Sequence, residues 1–203
     1  MNYNQFSNLS CYEEFEIQCT LTGISKLDIL KKHGNKIDNY YFFISNDGIF
    51  NWYDLEGNHI EDPGVLKEIK EKYIPKDIIK CVIPDSVKCI GYSAFQECKS
   101  LSSITIPDSV TSINGYSFAY CKSLDSITIP NSVTFIGCGS FGYCRSLIKI
   151  NIPNSVTSIR EDVFYYCKSL KEVVFKGKTL DEVKQMERYP FGIEDESIIK
   201  CEM

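Results

Sequence analysis

Hydrophobic and polar positions follow a fixed period over the second half of the chain. From residue 84 onward, the same hydrophobic positions return every 23 residues through four successive units. One unit carries them at Pro107, Val110, Ile113, Phe118 and Leu124. A repeat of this length is typical of solenoids, in which each unit packs on its neighbours to build one continuous core. We therefore predict an α/β solenoid over residues 78–177.

The order of residues within a unit predicts one coil of a leucine-rich repeat. Leu101, Ile104 and Ile106 have the Leu-x-x-Leu-x-Leu spacing of the strand in such repeats. Alternate residues of a strand face opposite sides, so Ile104 and Ile106 point into the core while Ser103 and Thr105 face solvent. A proline follows each strand and ends its pairing, because proline lacks a backbone N–H.

The repeat resembles the BspA-like leucine-rich repeat family. The units of that family read Ile-Pro-x-Ser-Val-x-x-Ile, then a Phe, then Cys-x-Ser-Leu. The motif is carried here by Ile106-Pro107-Asp108-Ser109-Val110, Ile113, Phe118 and Cys121-Lys122-Ser123-Leu124, repeated in register over residues 78–177. The resemblance implies a right-handed stack of parallel strands, and a role in adhesion or protein binding at the surface of bacteria and protozoa. It implies no catalytic chemistry.

Residues 1–62 lie outside the repeat and predict a small α+β unit. Ser25 is an N-cap ahead of a helix that should end at Gly34. Two segments rich in aromatic residues, 40–45 and 49–54, flank the sequence Asn-Asp-Gly, which is a strong signal for a β-hairpin.

Two further segments are predicted to cap the solenoid, whose terminal coils have a neighbour on one side only. Residues 63–77 start with proline and place Leu66, Ile69 and Tyr73 at helical spacing, which predicts a capping helix and linker. Residues 178–203 open on a Thr-x-x-Glu capping box and close on an extended segment. They predict a C-terminal cap of one helix and one short strand.

Composition and charge limit the classes of function. The 203 residues are 43% hydrophobic and 24% charged, as in an ordinary globular protein. A net charge of −5 gives no electrostatic reason to bind nucleic acid, which requires Lys and Arg in excess. The longest apolar run, residues 40–44, is far shorter than the roughly 20 residues that cross a bilayer. Residues 1–20 lack Lys and Arg, which favours a cytoplasmic location, whereas the family resemblance favours the cell surface.

The polar residues form no recognisable catalytic or metal-binding motif. Four of the ten cysteines occur once per repeat, at Cys98, Cys121, Cys144 and Cys167. Coils stack at about 4.8 Å, longer than the Cβ separation of roughly 3.8 Å that a disulfide prefers, so we expect a buried ladder of reduced thiols. Neither histidine has a cysteine at zinc spacing, and the main hydrolase and nucleotide motifs are missing. We therefore expect no enzyme activity, no metal and no cofactor.

The outward strand positions and a set of tyrosines are the candidate binding surface. Five strands offer a face of only about 360 Å², against roughly 800 Å² per partner in a standard interface. Tyrosines are enriched at interface hot spots, although each ring could instead pack on its neighbours and leave only its hydroxyl in water. The strand positions are Lys80, Val82, Ser103, Thr105, Ser126, Thr128, Lys149, Asn151, Glu172 and Val174. The tyrosines are Tyr120, Tyr143 and Tyr166, which recur at the 23-residue interval, with Tyr116 and Tyr165 nearby.

The sequence favours a non-enzymatic protein-binding or adhesion module, whose protein partner it does not identify. A first alternative is an enzyme or effector in the N-terminal unit, around Trp52, Asp54 and His59, with the solenoid as a targeting arm. A second alternative is a structural subunit of a larger assembly or a homo-oligomer, in which several copies share the contact.

Overall fold

The N-terminal residues form two helices and an antiparallel sheet. The structure, a computed structural model, describes residues 12–203. Helix α1 spans Tyr12–Thr22, and helix α2 spans Lys26–His33 between Ser25 and Gly34, where the sequence predicts a helix. The strands are β1 (Asn35–Ile37), β2 (Tyr40–Ile44), β3 (Phe50–Tyr53) and β4 (His59–Ile60), paired in that order. Strands β2 and β3 form the predicted hairpin.

This small sheet joins the helices to the solenoid. Successive side chains of a strand face opposite sides, and both sides of this sheet are covered. Tyr41 and Tyr53 pack with Phe15 and with buried residues of both helices. Phe42 and Trp52 lie on the other side, in the same hydrophobic core as the interior of the solenoid. The N-terminal residues therefore cover the open end of the repeat stack.

The turn of the hairpin contacts the solenoid strand Lys80–Val82. The amide of Val82 donates a hydrogen bond of 2.9 Å to the carbonyl oxygen of Gly48. Gly48 has a φ of +83°, and a Cβ there would lie 2.4 Å from the carbonyl oxygen of Lys80. Glycine is therefore needed for both the turn and the close approach.

Parallel strands form two sides of the solenoid, the first side as a two-stranded and a four-stranded sheet and the second side as one five-stranded sheet. Their register advances by one coil per strand, with Ser126 opposite Lys149 on one side and Phe135 opposite Ser158 on the other. The first side contains β6 (Lys80–Val82), β8 (Ser103–Thr105), β10 (Ser126–Thr128), β12 (Lys149–Ile152), β14 (Glu172–Lys176) and β15 (Ile199–Glu202). The second side contains β5 (Glu68–Ile69), β7 (Cys89–Ile90), β9 (Ser112–Ile113), β11 (Phe135–Ile136) and β13 (Ser158–Ile159).

Tight turns over an aromatic core form the third side. The repeated phenylalanines Phe95, Phe118, Phe141 and Phe164 are almost fully buried and stack at centroid distances of 5.2, 5.4 and 6.0 Å.

Serine hydroxyls tie neighbouring coils by donating to carbonyl oxygens of the preceding coil, at 2.6 to 3.1 Å. These serines are Ser86, Ser109, Ser132 and Ser155. The motif is thus explained by packing and hydrogen bonding between coils.

Residues 63–77 do not form the predicted capping helix. Strand β5 pairs in parallel with β7, with Ile69 opposite Ile90, and a 3-10 helix follows at Glu71–Tyr73. The segment is therefore a coil of the solenoid. The prediction was wrong because this coil is 21 residues long rather than 23, and its buried residues also happen to fit helical spacing.

The C-terminal residues close the other end of the stack. Helix α3 spans Leu180–Lys184 and begins with the predicted capping box, in which Thr179 and Glu182 exchange hydrogen bonds. Strand β15, also predicted, extends the first side in parallel with β14. Val174 was predicted to face solvent but is buried, because this short side chain lies between Asn151 and Lys200 in the register.

Candidate binding surface

Tyr120, Tyr143 and Tyr166 lie one above another along a corner of the solenoid, and are named the tyrosine column. Each follows a buried phenylalanine by two residues and precedes a ladder cysteine, so the repeat places them in register. The rings of Tyr120 and Tyr143 are 4.4 Å apart with planes at 8°, and those of Tyr143 and Tyr166 are 5.1 Å apart at 38°. All three side chains are half-buried, so part of each ring packs on its neighbours.

The backbone of the tyrosine column is left-handed, with φ of 61°, 60° and 59°. Two of the three amides donate to carbonyl oxygens of the next coil, Tyr120 to Gly142 at 2.9 Å and Tyr143 to Tyr165 at 2.8 Å. Glu97 occupies the same position one coil earlier, with φ of 61°. A residue with a Cβ pays roughly 1–2 kcal/mol for this conformation, which glycine adopts freely.

The ring of Tyr165 contacts the tyrosine column, whereas that of Tyr116 does not. Tyr165 is exposed, and its ring meets that of Tyr143 edge to face at 5.5 Å. Tyr116 pairs instead with Tyr92, also edge to face at 5.5 Å. The thiol of Cys138 lies 3.7 Å from the Tyr116 hydroxyl, and the hydrogen bond between them raises the pKa of Tyr116. The structure therefore brings together four of the five candidate tyrosines.

A second column of basic residues runs beside the first, and was not among the predicted site residues. It consists of the residues that follow the ladder cysteines, Lys99, Lys122, Arg145 and Lys168, and is named the basic column. All four side chains are exposed. The guanidinium of Arg145 lies 5.8 Å from the centroid of the Tyr166 ring, and the ammonium of Lys168 lies 4.4 Å from it. Both distances are within the range of cation–π attraction, and the 23-residue recurrence of the basic residues could have signalled them.

The predicted strand positions form a strip that is continuous with the two columns. Lys149 in this strip forms an ion pair of 2.6 Å with Glu172. Between the tyrosine column and the strand of one coil, Lys122, Ser123 and Asp125 are all exposed. The exposed candidates on the strands are Lys80, Val82, Ser103, Thr105, Ser126, Thr128, Lys149 and Asn151. One surface therefore runs around the corner of the solenoid.

The cysteine ladder lies beneath this corner and is poorly suited to nucleophilic chemistry. The thiols of Cys121, Cys144 and Cys167 donate to carbonyl oxygens of the preceding coil at 3.0 to 3.1 Å. Burial raises the pKa of Cys98 to about 11 and that of Cys167 to about 12. These thiols remain protonated at neutral pH and are therefore weak nucleophiles. The nine cysteines within the described residues are free, and Cys11 lies outside them.

The polar candidates of the N-terminal unit make structural contacts. Trp52 is buried in the core. The Asp54 carboxylate accepts hydrogen bonds from the amides of Glu56 and Asn58, and the side chain of Asn58 lowers the pKa of Asp54. His59 packs edge-on against a tyrosine ring at 5.5 Å. Within residues 12–203, no three acidic, histidine or cysteine side chains are grouped to hold a metal ion, and no helix is long and apolar enough to cross a membrane.

Comparisons with known proteins identify the repeat. The model of the BspA type leucine-rich repeat region matches six copies over residues 69–192, whereas no protein of curated function matches the sequence. The leucine-rich repeat protein TpLRR of T. pallidum is 27% identical and has a TM-score of 0.54, covering 70% of this chain and 71% of its own. A leucine-rich cell surface protein of Faecalibacterium prausnitzii A2-165 is 28% identical and has a TM-score of 0.51, covering 74% and 41%. The pneumococcal vaccine antigen PcpA, 22% identical with a TM-score of 0.53 over 73% and 38%, shares the fold.

The family match extends the repeat beyond the predicted residues 78–177 at both ends. At the N-terminal end it includes the 21-residue coil that the sequence pattern concealed. At the C-terminal end it reaches the residues that follow helix α3. Because the family model covers more than half of the sequence, the chain belongs to the BspA-type leucine-rich repeat family.

Proposed function

We propose that this chain is a non-enzymatic protein-binding module, and that the tyrosine column is the centre of its contact surface. The proposal is carried by one observation, the stack of three half-buried tyrosines on left-handed backbone in successive coils. A tyrosine supplies a rigid ring and a hydroxyl, which makes it a frequent hot-spot residue. Leucine-rich repeat proteins of this family are generally protein-binding or surface proteins.

Backbone stability does not explain tyrosine at these positions. Glycine accepts a φ near 60° at lower cost, and asparagine tolerates it better than most residues. Glu97 occupies the equivalent position in an earlier coil, so the coil itself does not require a ring. Costly conformations that persist are frequent at functional sites, and this supports a binding role for the rings.

The surface around the column has the size of a modest interface. The outermost strand position lies eight positions after the tyrosine of its coil, as Thr128 does after Tyr120. A fully extended chain of that length spans at most about 26 Å. Five coils at about 4.8 Å give the other dimension, so the surface measures roughly 600 Å². This is more than the strand face alone offers and less than the roughly 800 Å² of a standard interface. We therefore expect a transient complex rather than a permanent one.

Adhesion at a cell surface is the setting that we propose for this binding. The F. prausnitzii relative is described as a cell surface protein, and this chain covers 41% of its length. The setting is tested by treating intact source cells with a membrane-impermeant amine reagent. Modification of the chain supports the cell surface, and protection supports the cytoplasmic location that the sequence favours.

The binding proposal is tested by replacing the tyrosine column with asparagine, as Tyr120→Asn, Tyr143→Asn and Tyr166→Asn. Asparagine tolerates the left-handed backbone, so the coils should keep their shape. A matched control replaces the exposed threonines Thr111, Thr134 and Thr157 by asparagine, in the same three coils on the second side of the solenoid. Circular dichroism and denaturation confirm that both variants are folded before binding is compared.

The readout is capture of proteins from the source organism and its surroundings, quantified for wild type and both variants. We expect partners that wild type and the threonine variant retain equally and that the tyrosine variant loses. Equal retention by all three proteins would show that the tyrosine column is not the contact surface.

A further inference from the structure

The C-terminal part of the basic column carries three positive side chains that have no ion-pair partner among the described residues. At the start of the column, Lys99 lies 3.5 Å from the carboxylate of Glu97. Lys122, Arg145 and Lys168 form no ion pair with any residue in the range 12–203. Since the whole chain has a net charge of −5, three unpaired positive charges on successive coils make a distinct local field.

The tyrosine column presents ring edges and hydroxyls to solvent rather than ring faces. Tyr143 is stacked between Tyr120 and Tyr166, so its two faces are occupied by neighbouring rings. A flat ring such as a nucleobase therefore has no free face to stack on in the middle of the column. The edge of an aromatic ring is its positive part, and a phenol can donate a hydrogen bond. Partial burial raises the pKa of Tyr120, which keeps its hydroxyl protonated.

We propose that the tyrosine column and Lys122, Arg145 and Lys168 together bind an acidic α-helix of a partner protein. This inference deepens the proposed function and rests on it. Carboxylates of the helix pair with the basic column and accept hydrogen bonds from the tyrosine hydroxyls. Both columns then contribute to one contact, because each of the three basic residues follows a tyrosine of the column by two positions in the same coil.

The spacing of the columns favours a helix over an extended peptide. The tyrosine rings repeat at 4.4 and 5.1 Å along the solenoid. The pitch of an α-helix is about 5.4 Å, close to the spacing of the coils. One acidic residue per helical turn therefore stays near one basic residue per coil. Alternate residues of an extended chain are about 6.7 Å apart and lose this register by the third coil.

Acidic groups at both ends limit the site to these coils. Glu97 takes the place of a tyrosine at one end. At the other end, Tyr166 and Lys168 line a cleft of about 420 Å³ that also contains Glu194 and Asp195. An acidic helix is attracted to the middle of the strip and repelled from its ends, so we expect about three turns of helix to be bound.

The test uses the full chain and synthetic peptides, with binding followed by fluorescence anisotropy. The first peptide is an alanine-based helix with glutamates at i, i+4, i+7 and i+11, which form one edge. A second peptide has the same composition with the glutamates spread around the helix. A third carries the same number of glutamates but is held extended by prolines. A sulfated polysaccharide serves as an anionic probe of a different class.

Two charge variants of the chain complete the design. The test variant carries Lys122→Gln, Arg145→Gln and Lys168→Gln. The matched control carries Lys31→Gln, Lys88→Gln and Lys184→Gln, which removes the same charge from exposed positions outside this surface. We expect the edge peptide to bind wild type and the control alike, and the test variant about tenfold more weakly at low salt. Binding should also weaken as salt rises from about 50 to 500 mM.

Three results would overturn the acidic helix as partner. They are equal binding of the spread or extended peptide, tighter binding of the polysaccharide than of the edge peptide, and equal affinity of the test variant and its control. If proteins captured by wild type depend on the tyrosine column but not on the three basic residues, the binding surface stands and the acidic helix is wrong.

Discussion

The left-handed backbone of the tyrosine column makes a prediction that contact analysis alone would not make. At most positions outside turns, replacing a residue by alanine leaves a protein more stable than replacing it by glycine, because glycine loses more conformational entropy on folding. Tyr143 has a φ of 60°. We expect the order to be reversed there, with Tyr143→Gly more stable than Tyr143→Ala.

The magnitude follows from three contributions. Both variants lose contacts with two stacked rings, worth about 0.5–1.5 kcal/mol each. Alanine also keeps the left-handed cost of about 1–2 kcal/mol, which glycine removes. The greater conformational freedom of glycine in the unfolded chain destabilises the glycine variant by about 0.5–1 kcal/mol, which cancels part of this advantage. The net expectation is a glycine variant about 0.5–1 kcal/mol more stable than the alanine variant.

The assay is urea denaturation followed by circular dichroism, with midpoints compared at constant slope. Thr134 supplies the control, since it is exposed in the same coil and its φ is not positive. There we expect the ordinary order, with Thr134→Ala more stable than Thr134→Gly. An alanine variant at Tyr143 that equals or exceeds the glycine variant would refute the left-handed cost, and with it the reasoning that tyrosine is kept there for binding.

Three further predictions concern the core, the N-terminal contact and the thiols. Phe118→Ala should lower the free energy of unfolding by about 3–5 kcal/mol, measured by chemical denaturation, because Phe118 is fully buried between two stacked rings. Gly48→Ala should speed hydrogen exchange at the amide of Val82, which donates to the Gly48 carbonyl, because the new Cβ collides with the adjoining strand; unchanged exchange would contradict this contact. Burial raises the pKa of Cys98 to about 11, so above about pH 9 the unfolded chain loses this proton before the folded one does. Stability should then fall by up to about 1.4 kcal/mol per pH unit, and the fall should be shallower in Cys98→Ala, as read from urea midpoints between pH 7 and 10.

The repeat core could be predicted from the sequence because its period is fixed by packing. Each coil must match the length and volume of the next, so Val110, Ile113 and Phe118 recur and are fully buried. The first coil escaped the prediction because its strand pairs at an interval of 21 residues. Its residues Leu66 and Ile69 pack in the same core, but their spacing also fits a helix.

The alignment of the candidate tyrosines could be predicted from the sequence, but their backbone conformation could not. A shared period is enough to place Tyr120 above Tyr143, since stacked coils repeat their surface. The left-handed backbone and the covering of ring faces by tyrosines of neighbouring coils are properties of the stacked coils, which no local pattern reveals. The basic column was missed for another reason. Lys122 and Arg145 look like ordinary solvated charges until the structure places them beside the rings.

Protection of the tyrosine column in a complex tests the proposed binding surface most directly. Hydroxyl-radical footprinting of the full chain, alone and with a partner captured by wild type, measures the oxidation of each tyrosine. Tyr92 is the internal reference, because it is 65% exposed and lies outside the column. We expect oxidation of Tyr120, Tyr143 and Tyr166 to fall in the complex while that of Tyr92 is unchanged. Unchanged oxidation of the three column tyrosines in a saturated complex would contradict the proposal and place the contact elsewhere on the solenoid.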